Sequence, residues 1–127
     1  MKYERKFYQC LVCGNIIAKI HDSGVMVHCC GQEMAPLVAN TTDASVEKHV
    51  PAVKREGDQL FVTVGSVPHP MIQEHHIAWI CVAQACKTAR VALCPTGEPR
   101  ATFVMDEGDA TVYAYCNLHG LWAADLT

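Results

Sequence analysis

Four cysteines fall within the first 37 residues, as Cys10-x-x-Cys13 and the adjacent pair Cys29-Cys30. A segment that short has too little interior to fold on apolar burial alone, so these thiols read as its staple. Four soft donors complete a tetrahedral shell for one iron or zinc ion. Adjacent cysteines reach one metal only if the backbone turns sharply between them, and Gly31 follows directly to ease that turn. An angularly distorted tetrahedron is expected. Thiolates alone do not separate iron from zinc, and two disulfides are the other alternative. With four sulfurs in place, His21 and His28 are read as solvent-facing. Iron so enclosed is coordinatively closed and suits one-electron storage or transfer, so catalysis should lie elsewhere.

The 127 residues allow this unit, placed at 1–37, and one further domain at 38–127, with the small polar stretch 38–45 as a linker. Half the residues are hydrophobic and 18% charged, a folded composition. The formal charge of -3 comes with no basic block, so nucleic acid is not an expected partner. No apolar run approaches the ~20 residues that span a bilayer, so no membrane association is expected. The polar start Met1-Lys2-Tyr3-Glu4 runs into the cysteine motif without a secretory segment, and a reducing, cytoplasmic location is the expectation.

In the second domain, period-2 segments at 59–64, 76–82, 88–93, 101–105 and 110–116 alternate with turn-rich pieces such as Cys94-Pro-Thr-Gly-Glu-Pro. That spacing predicts a sandwich of antiparallel strands and needs no long helix. In the last segment Ala110, Val112, Ala114 and Cys116 share one face, and Thr111, Tyr113 and Tyr115 share the other. The thiol of Cys116 is expected on the apolar side at a strand end.

His49, His69, His75, His76 and His119 accompany Cys116 in this domain. His69 is held between Pro68 and Pro70, and Cys116 and His119 are close enough to bind one metal from a strand end and its turn. His76 should point away from His75 if a strand begins there. Four imidazoles and one thiolate would leave an octahedral ferrous ion with one open position, able to bind and reduce a small molecule. Cys81, Cys86 and Cys94 have irregular spacing and no fourth partner, so they read as buried or exposed thiols. A Cys81–Cys94 or Cys86–Cys94 disulfide is the minor alternative.

These residues resemble the desulfoferrodoxin family, the two-domain superoxide reductases. The first part is similar to desulforedoxin through Tyr8-Gln9-Cys10-Leu11-Val12-Cys13-Gly14-Asn15 and Cys29-Cys30-Gly31-Gln32-Glu33-Met34. The second is similar to neelaredoxin through Glu47-Lys48-His49-Val50-Pro51, Gly65-Ser66-Val67-Pro68-His69-Pro70-Met71, Glu74-His75 and Tyr115-Cys116-Asn117-Leu118-His119-Gly120-Leu121-Trp122. The resemblance implies a mainly β chain, a small rubredoxin-like knob followed by an immunoglobulin-like β-sandwich. It implies two iron ions, one on Cys10, Cys13, Cys29 and Cys30, the other on His49, His69, His75 and His119 equatorially with Cys116 axial. It also implies reduction of superoxide to hydrogen peroxide without dioxygen, electrons from rubredoxin or a similar donor, and a homodimer. The family's usual lysine after Gly-Leu-Trp is Ala123 here, which removes no ligand.

Lys48, next to His49, is the expected attractor of the superoxide anion and orienter of the water that donates protons. Glu47 resembles the family glutamate that occupies the open position after oxidation, and the resemblance implies that role here. The competing reading is a non-catalytic two-iron electron-transfer protein, and a zinc-binding interaction module is a third.

Overall fold

Strands of two or three residues are all that the first 38 residues can form between their cysteine turns. In the computed structural model, which describes residues 1–126, these are β1 (Phe7–Gln9), β2 (Ile16–Ala18), β3 (His28–Cys29), β4 (Gln32–Glu33) and β5 (Ala35–Leu37). β1 lies between β2 and β5 in an antiparallel sheet, and β3 pairs with β4. The unit Arg5–Val38 buries the hydrophobic side chains of Phe7, Cys10 and Met34 among the described residues. So small an interior cannot offset the chain entropy lost on folding, which leaves stability to the thiol cluster. Cys30 and Gly31 form the β3–β4 turn, both at positive φ (53° and 78°), the sign pattern of a type I′ hairpin. Glycine adopts that conformation freely, whereas Cys30 does so against the preference of a residue with a Cβ. The sharp turn expected between the adjacent cysteines is therefore shared by Cys30 and Gly31.

The second unit comprises Met1–Glu4 and the chain from Ala39 onward. It holds α1 (Val46–His49), β6 (Pro51–Glu56), β7 (Gln59–Val64), β8 (Ile77–Gln84), β9 (Lys87–Ala92), β10 (Arg100–Val104), β11 (Ala110–Cys116) and β12 (Gly120–Leu126). Two antiparallel sheets, β10-β7-β6 and β12-β11-β8-β9, make a seven-stranded immunoglobulin-like sandwich. Leu60, Val62 and Val64 of β7 and Phe103 of β10 enclose a core with Ile77, Ile80 and Val82 of β8 and Ala110, Val112, Ala114 and Cys116 of β11. Each fully buried Leu, Ile or Val contributes about 1.5–3 kcal/mol, so this interior supports a platform independent of any metal.

The predicted strands at 59–64 and 110–116 coincide with β7 and β11, while β8 starts one residue later than predicted, and β9 and β10 one residue earlier. β6 and β12 were not anticipated. Charges at Lys54, Arg55 and Glu56 mask the alternation in β6, and in β12 the consecutive apolar residues Leu121, Trp122, Ala123 and Ala124 show no period of two, so pairing with β11 supplies the order. The face of β11 bearing Thr111, Tyr113 and Tyr115 is buried as well. The amino-terminal residues serve it: Tyr3 N–H donates to Thr111 Oγ1 (2.9 Å), and Tyr113 Oη–H donates to Tyr3 O (3.4 Å). Lys2 is paired with Asp109. No helix among the described residues is long and apolar enough to cross a membrane.

A register shift brings the fold to the site. Cys116 pairs with Ile77 while Tyr115 pairs with Trp79, so Ala78 is an extra residue on β8. The bulge lets both Ile77 and Ile80 face the core and re-aims the residues entering β8, among them His75.

Candidate metal centres

Each of the four thiols in the first unit follows from a local turn. Cys10 ends β1, with its N–H bonded to Asn15 O (2.8 Å) and its carbonyl accepting from Gly14 N–H (2.9 Å), which curls Cys13 back toward it. The β3–β4 turn brings Cys29 and Cys30 to the same point. Sulfur separations are 3.7 Å for Cys13 and Cys29 and 4.0 Å for Cys29 and Cys30. A tetrahedral metal with bonds of about 2.3 Å to sulfur sets its ligands about 3.8 Å apart. A disulfide needs about 2.05 Å, so these cysteines are not paired.

The Cys10 thiol is lowered to about 6, chiefly by the backbone N–H groups of Cys13 and Val12, while Cys30 is pushed up to about 12, chiefly by sharing hydrogen bonds with Cys13 and Cys10. Without a cation the cluster accommodates little negative charge; a divalent ion displaces the protons. His21 and His28 are exposed and outside the cluster.

Five donors converge in the second unit from four places in the chain. His49 closes α1, His69 lies between β7 and β8, His75 precedes β8, Cys116 ends β11 and His119 lies in the three-residue turn to Gly120. The ligand atoms all lie within 4.8 Å of one another, and His76 is not among them. His76 Nδ1 faces its own loop, 3.1 Å from the carbonyls of Ile72 and Gln73.

The four rings stand at the corners of a near-square. Successive centroids are 4.6 Å (His49–His69), 4.6 Å (His69–His75), 5.0 Å (His75–His119) and 4.9 Å (His119–His49), with a diagonal of 6.4 Å from His49 to His75. Neighbouring rings are steeply inclined, at 74° to 87°, and the opposed pair is inclined by 30°. Nitrogens about 2.1 Å from one metal and at right angles would be about 3.0 Å apart. His49 Nε2 is 3.1 Å from His69 Nε2 and 3.1 Å from His119 Nδ1.

Tautomer chemistry makes the fit sharper. His49 Nδ1–H donates to Ser45 O (2.6 Å) and His69 Nδ1–H to Pro70 O (2.7 Å). In the neutral rings both Nε2 atoms then carry lone pairs, and two lone pairs facing at that distance repel unless a cation lies between them. His75 Nε2 is buried without a hydrogen-bond partner. Burial also keeps the rings neutral, pushing His69 down to about 4 and lowering His49 and His75. Neutral imidazole is the ligating form.

Cys116 is fully buried and its Sγ is 3.8 Å from His119 Nδ1. Burial raises its thiol, and the N–H groups of Leu118 and His119 oppose that by donating to the sulfur. A bound cation would complete the deprotonation. The five donors thus suit a transition metal with one octahedral position lacking a protein donor.

Glu47 and Lys48 are exposed on α1 beside His49. The Lys48 charge contributes to lowering both His49 and His75, which puts it within electrostatic reach of the cluster. The Glu47 carboxyl is lowered first by its own backbone N–H, so it is folded over the start of α1.

Sequence reasoning assigned no role to Trp122, Gly65 or the two carbonyls that set the tautomers. Trp122 stacks on His49 (4.9 Å, 27°) and donates from Nε1 to His119 O (3.1 Å), holding two ligands at once. A buried tryptophan three residues after a ligand was a usable signal; the Ser45 and Pro70 carbonyls left none. The proposed disulfides of Cys81, Cys86 and Cys94 are excluded, since all three thiols are free. Cys86 lies at the β8–β9 turn and Cys94 beyond the far end of β9, about eight residues or roughly 25 Å along a strand.

A closed thiolate centre and an open histidine centre on one chain define a class, the non-haem iron oxidoreductases with two unlike metal sites. Residues 41–125 match the family described as desulfoferrodoxin, and residues 3–37 match the desulfoferrodoxin N-terminal domain. The chain belongs to the desulfoferrodoxin family. It is 45% identical over 115 residues to a desulfoferrodoxin homolog of Archaeoglobus fulgidus, covering 91% of this chain and 92% of that one. It is 42% identical over 125 residues to the desulfoferrodoxin of Syntrophotalea carbinolica, covering 98% and 99%. The crystal structure of the superoxide reductase from Treponema pallidum is similar with a TM-score of 0.77 at 33% identity, covering 95% of this chain and 98% of that one.

Proposed function

We propose that this protein is a superoxide reductase, converting superoxide to hydrogen peroxide with one electron and two protons and releasing no dioxygen. The observation that carries the reading is the near-square of four imidazoles gathered with one buried thiol in a single set of donors. His49, His69, His75, His119 and Cys116 hold the catalytic iron, and Cys10, Cys13, Cys29 and Cys30 hold a second iron; family membership favours iron over zinc. Ferrous iron, when bound in the histidine site, supplies the electron and the open position where the substrate is reduced.

The chain's own groups do the rest. Carbonyls of Ser45 and Pro70 hold His49 and His69 in the ligating tautomer. Cys116 would be the thiolate ligand of the histidine-site iron, its sulfur held and tempered by the Leu118 and His119 N–H groups. Lys48 draws the anion toward the cluster and orients the water that delivers protons. Glu47, exposed on α1 beside His49, would offer its carboxylate to the open position of an oxidised iron. Of the two parts expected from the sequence, 1–37 acts as a desulforedoxin-like iron domain and 38–127 as the neelaredoxin-like catalytic domain, with Met1–Glu4 grouped with the second and Val38 with the first. Rubredoxin or a similar small carrier supplies electrons to a homodimer in a reducing cytoplasm; the family resemblance and the eight free thiols support this setting.

Rapid mixing of the fully reduced protein with superoxide, with peroxide and dioxygen both quantified, tests the reading. Fast consumption with peroxide and no dioxygen is the expected result. Two bound irons that change oxidation state but leave superoxide untouched would identify an electron carrier instead.

A further inference from the structure

Asn117 is solvent-exposed, yet both ends of its side-chain amide are committed to the backbone of another loop. Oδ1 accepts the His76 N–H at 2.8 Å, Nδ2 donates to Glu74 O at 3.0 Å, and the Asn117 N–H donates to His76 O at 3.2 Å. An N–H partner on one side and a carbonyl on the other leave the amide a single workable orientation. The three bonds grip the residues on either side of His75. That loop is already a tight turn, closed by reciprocal bonds between Ile72 and His75 of 3.0 and 3.1 Å. At its other end Asn117 stands between Cys116 and the Leu118 and His119 N–H groups that reach the sulfur.

We propose that Asn117 is a positioning residue whose amide straps the His75 loop to the Cys116 turn, setting both the placement of the His75 imidazole and the hydrogen bonding of the Cys116 thiolate. The proposal rests on the iron reading of this site. Its logic is a difference in tolerance. Water replaces the hydrogen bonds of an exposed amide at small cost to folding, but a ligand set works only within about 0.5 Å of its productive geometry. Loss of the strap should therefore be felt by the metal before it is felt by the fold. A turn left free also aims its N–H groups less well at the sulfur, leaving a more electron-rich thiolate.

The test uses the full-length, iron-loaded protein with Asn117→Ala and Asn117→Asp. For Asn117→Ala, loss of the histidine-site iron to a chelator should accelerate about tenfold. The Cys116-to-iron charge-transfer absorption of the oxidised protein should move to lower energy, while the bands of the four-cysteine iron stay unchanged. The thermal midpoint of the metal-free protein should stay at the wild-type value. Asn117→Asp keeps an acceptor for the His76 N–H and loses the donor to Glu74 O, so its iron release should fall between the two. Release and absorption identical to wild type in Asn117→Ala would overturn the proposal, and so would a metal-free midpoint that falls in parallel with iron retention. A wild-type protein that binds iron at both sites yet shows no thiolate absorption beyond that of the four-cysteine iron would instead defeat the functional reading, which separates the two failures.

Discussion

Replacing Gly65 by alanine would set a methyl carbon 2.6 Å from the carbonyl oxygen of Glu47, 2.9 Å from that of Val50 and 3.0 Å from the carbonyl carbon of Lys48. All three are backbone atoms of the segment that carries His49, so no side-chain rotation relieves the clash. Contacts under 3.0 Å are essentially never seen and ordinary van der Waals contact begins at 3.4 Å, so from 2.6 Å α1 and the 65–67 loop must separate by 0.4 to 0.8 Å. The Glu47 carbonyl is also the acceptor for Val67 N–H (2.9 Å) and Ser66 Oγ–H (3.2 Å), so the same movement strains the contacts that seat α1. Overpacking of this kind costs about 1–3 kcal/mol. For a domain of this size that lowers the thermal midpoint by at least about 4 °C. That displacement matches the ~0.5 Å tolerance of a metal site, and a misplacement near 1 Å costs about 100-fold in rate. Calorimetry of Gly65→Ala, paired with iron retention against a chelator and the rate of superoxide consumption, measures all three. A variant with a midpoint within about 1 °C of wild type and unchanged iron retention would refute the claim that this glycine sets the position of His49.

Lys48→Ala should slow association with superoxide and flatten its dependence on ionic strength; rapid mixing across a salt series checks this, and an unchanged salt response removes the steering role. Cys116→Ser should abolish the thiolate absorption of the histidine-site iron, leaving that of the four-cysteine iron, and damage turnover even where iron is retained, read by iron content beside peroxide yield. Acid should destabilise the metal-free protein. His69 falls from the ordinary imidazole value near 6.5 to about 4 on folding, so the unfolded chain binds more protons between those values and stability rises with pH there. This contribution is fully present above about 6.5 and lost as pH falls toward 4, and His49 and His75 shift in the same direction. Denaturant midpoints of the metal-free protein across that window should fall with acidification; a flat profile would contradict buried neutral rings.

Much of the fold was legible because it is built from alternation. The strands β7 and β11 place core residues at every second position, Leu60, Val62 and Val64 in one and Ala110, Val112, Ala114 and Cys116 in the other, and their predicted bounds coincide with the observed ones. The short elements of the first unit carry no period at all, since two or three residues cannot display one. The role of Met1–Glu4 in covering β11 was equally hidden. Those residues are polar in sequence, and their partners Thr111 and Tyr113 lie more than a hundred positions away.

The sequence by itself determined the donors: four cysteines in one unit, and four histidines with one cysteine in the other, each of a type that binds transition metal. It determined too that Cys116 would come from the apolar face of a strand. Tertiary structure alone decided that imidazoles 70 residues apart, on His49 and His119, approach to 3.1 Å. That approach depends on β11 pairing with β8 in one register, with Ala78 as the extra residue, and on a glycine that leaves α1 room to sit against its neighbour. Local preference acts over a few residues, whereas ligand geometry is a sum of long-range registers and packing distances, and each can be read only where the chain has come together.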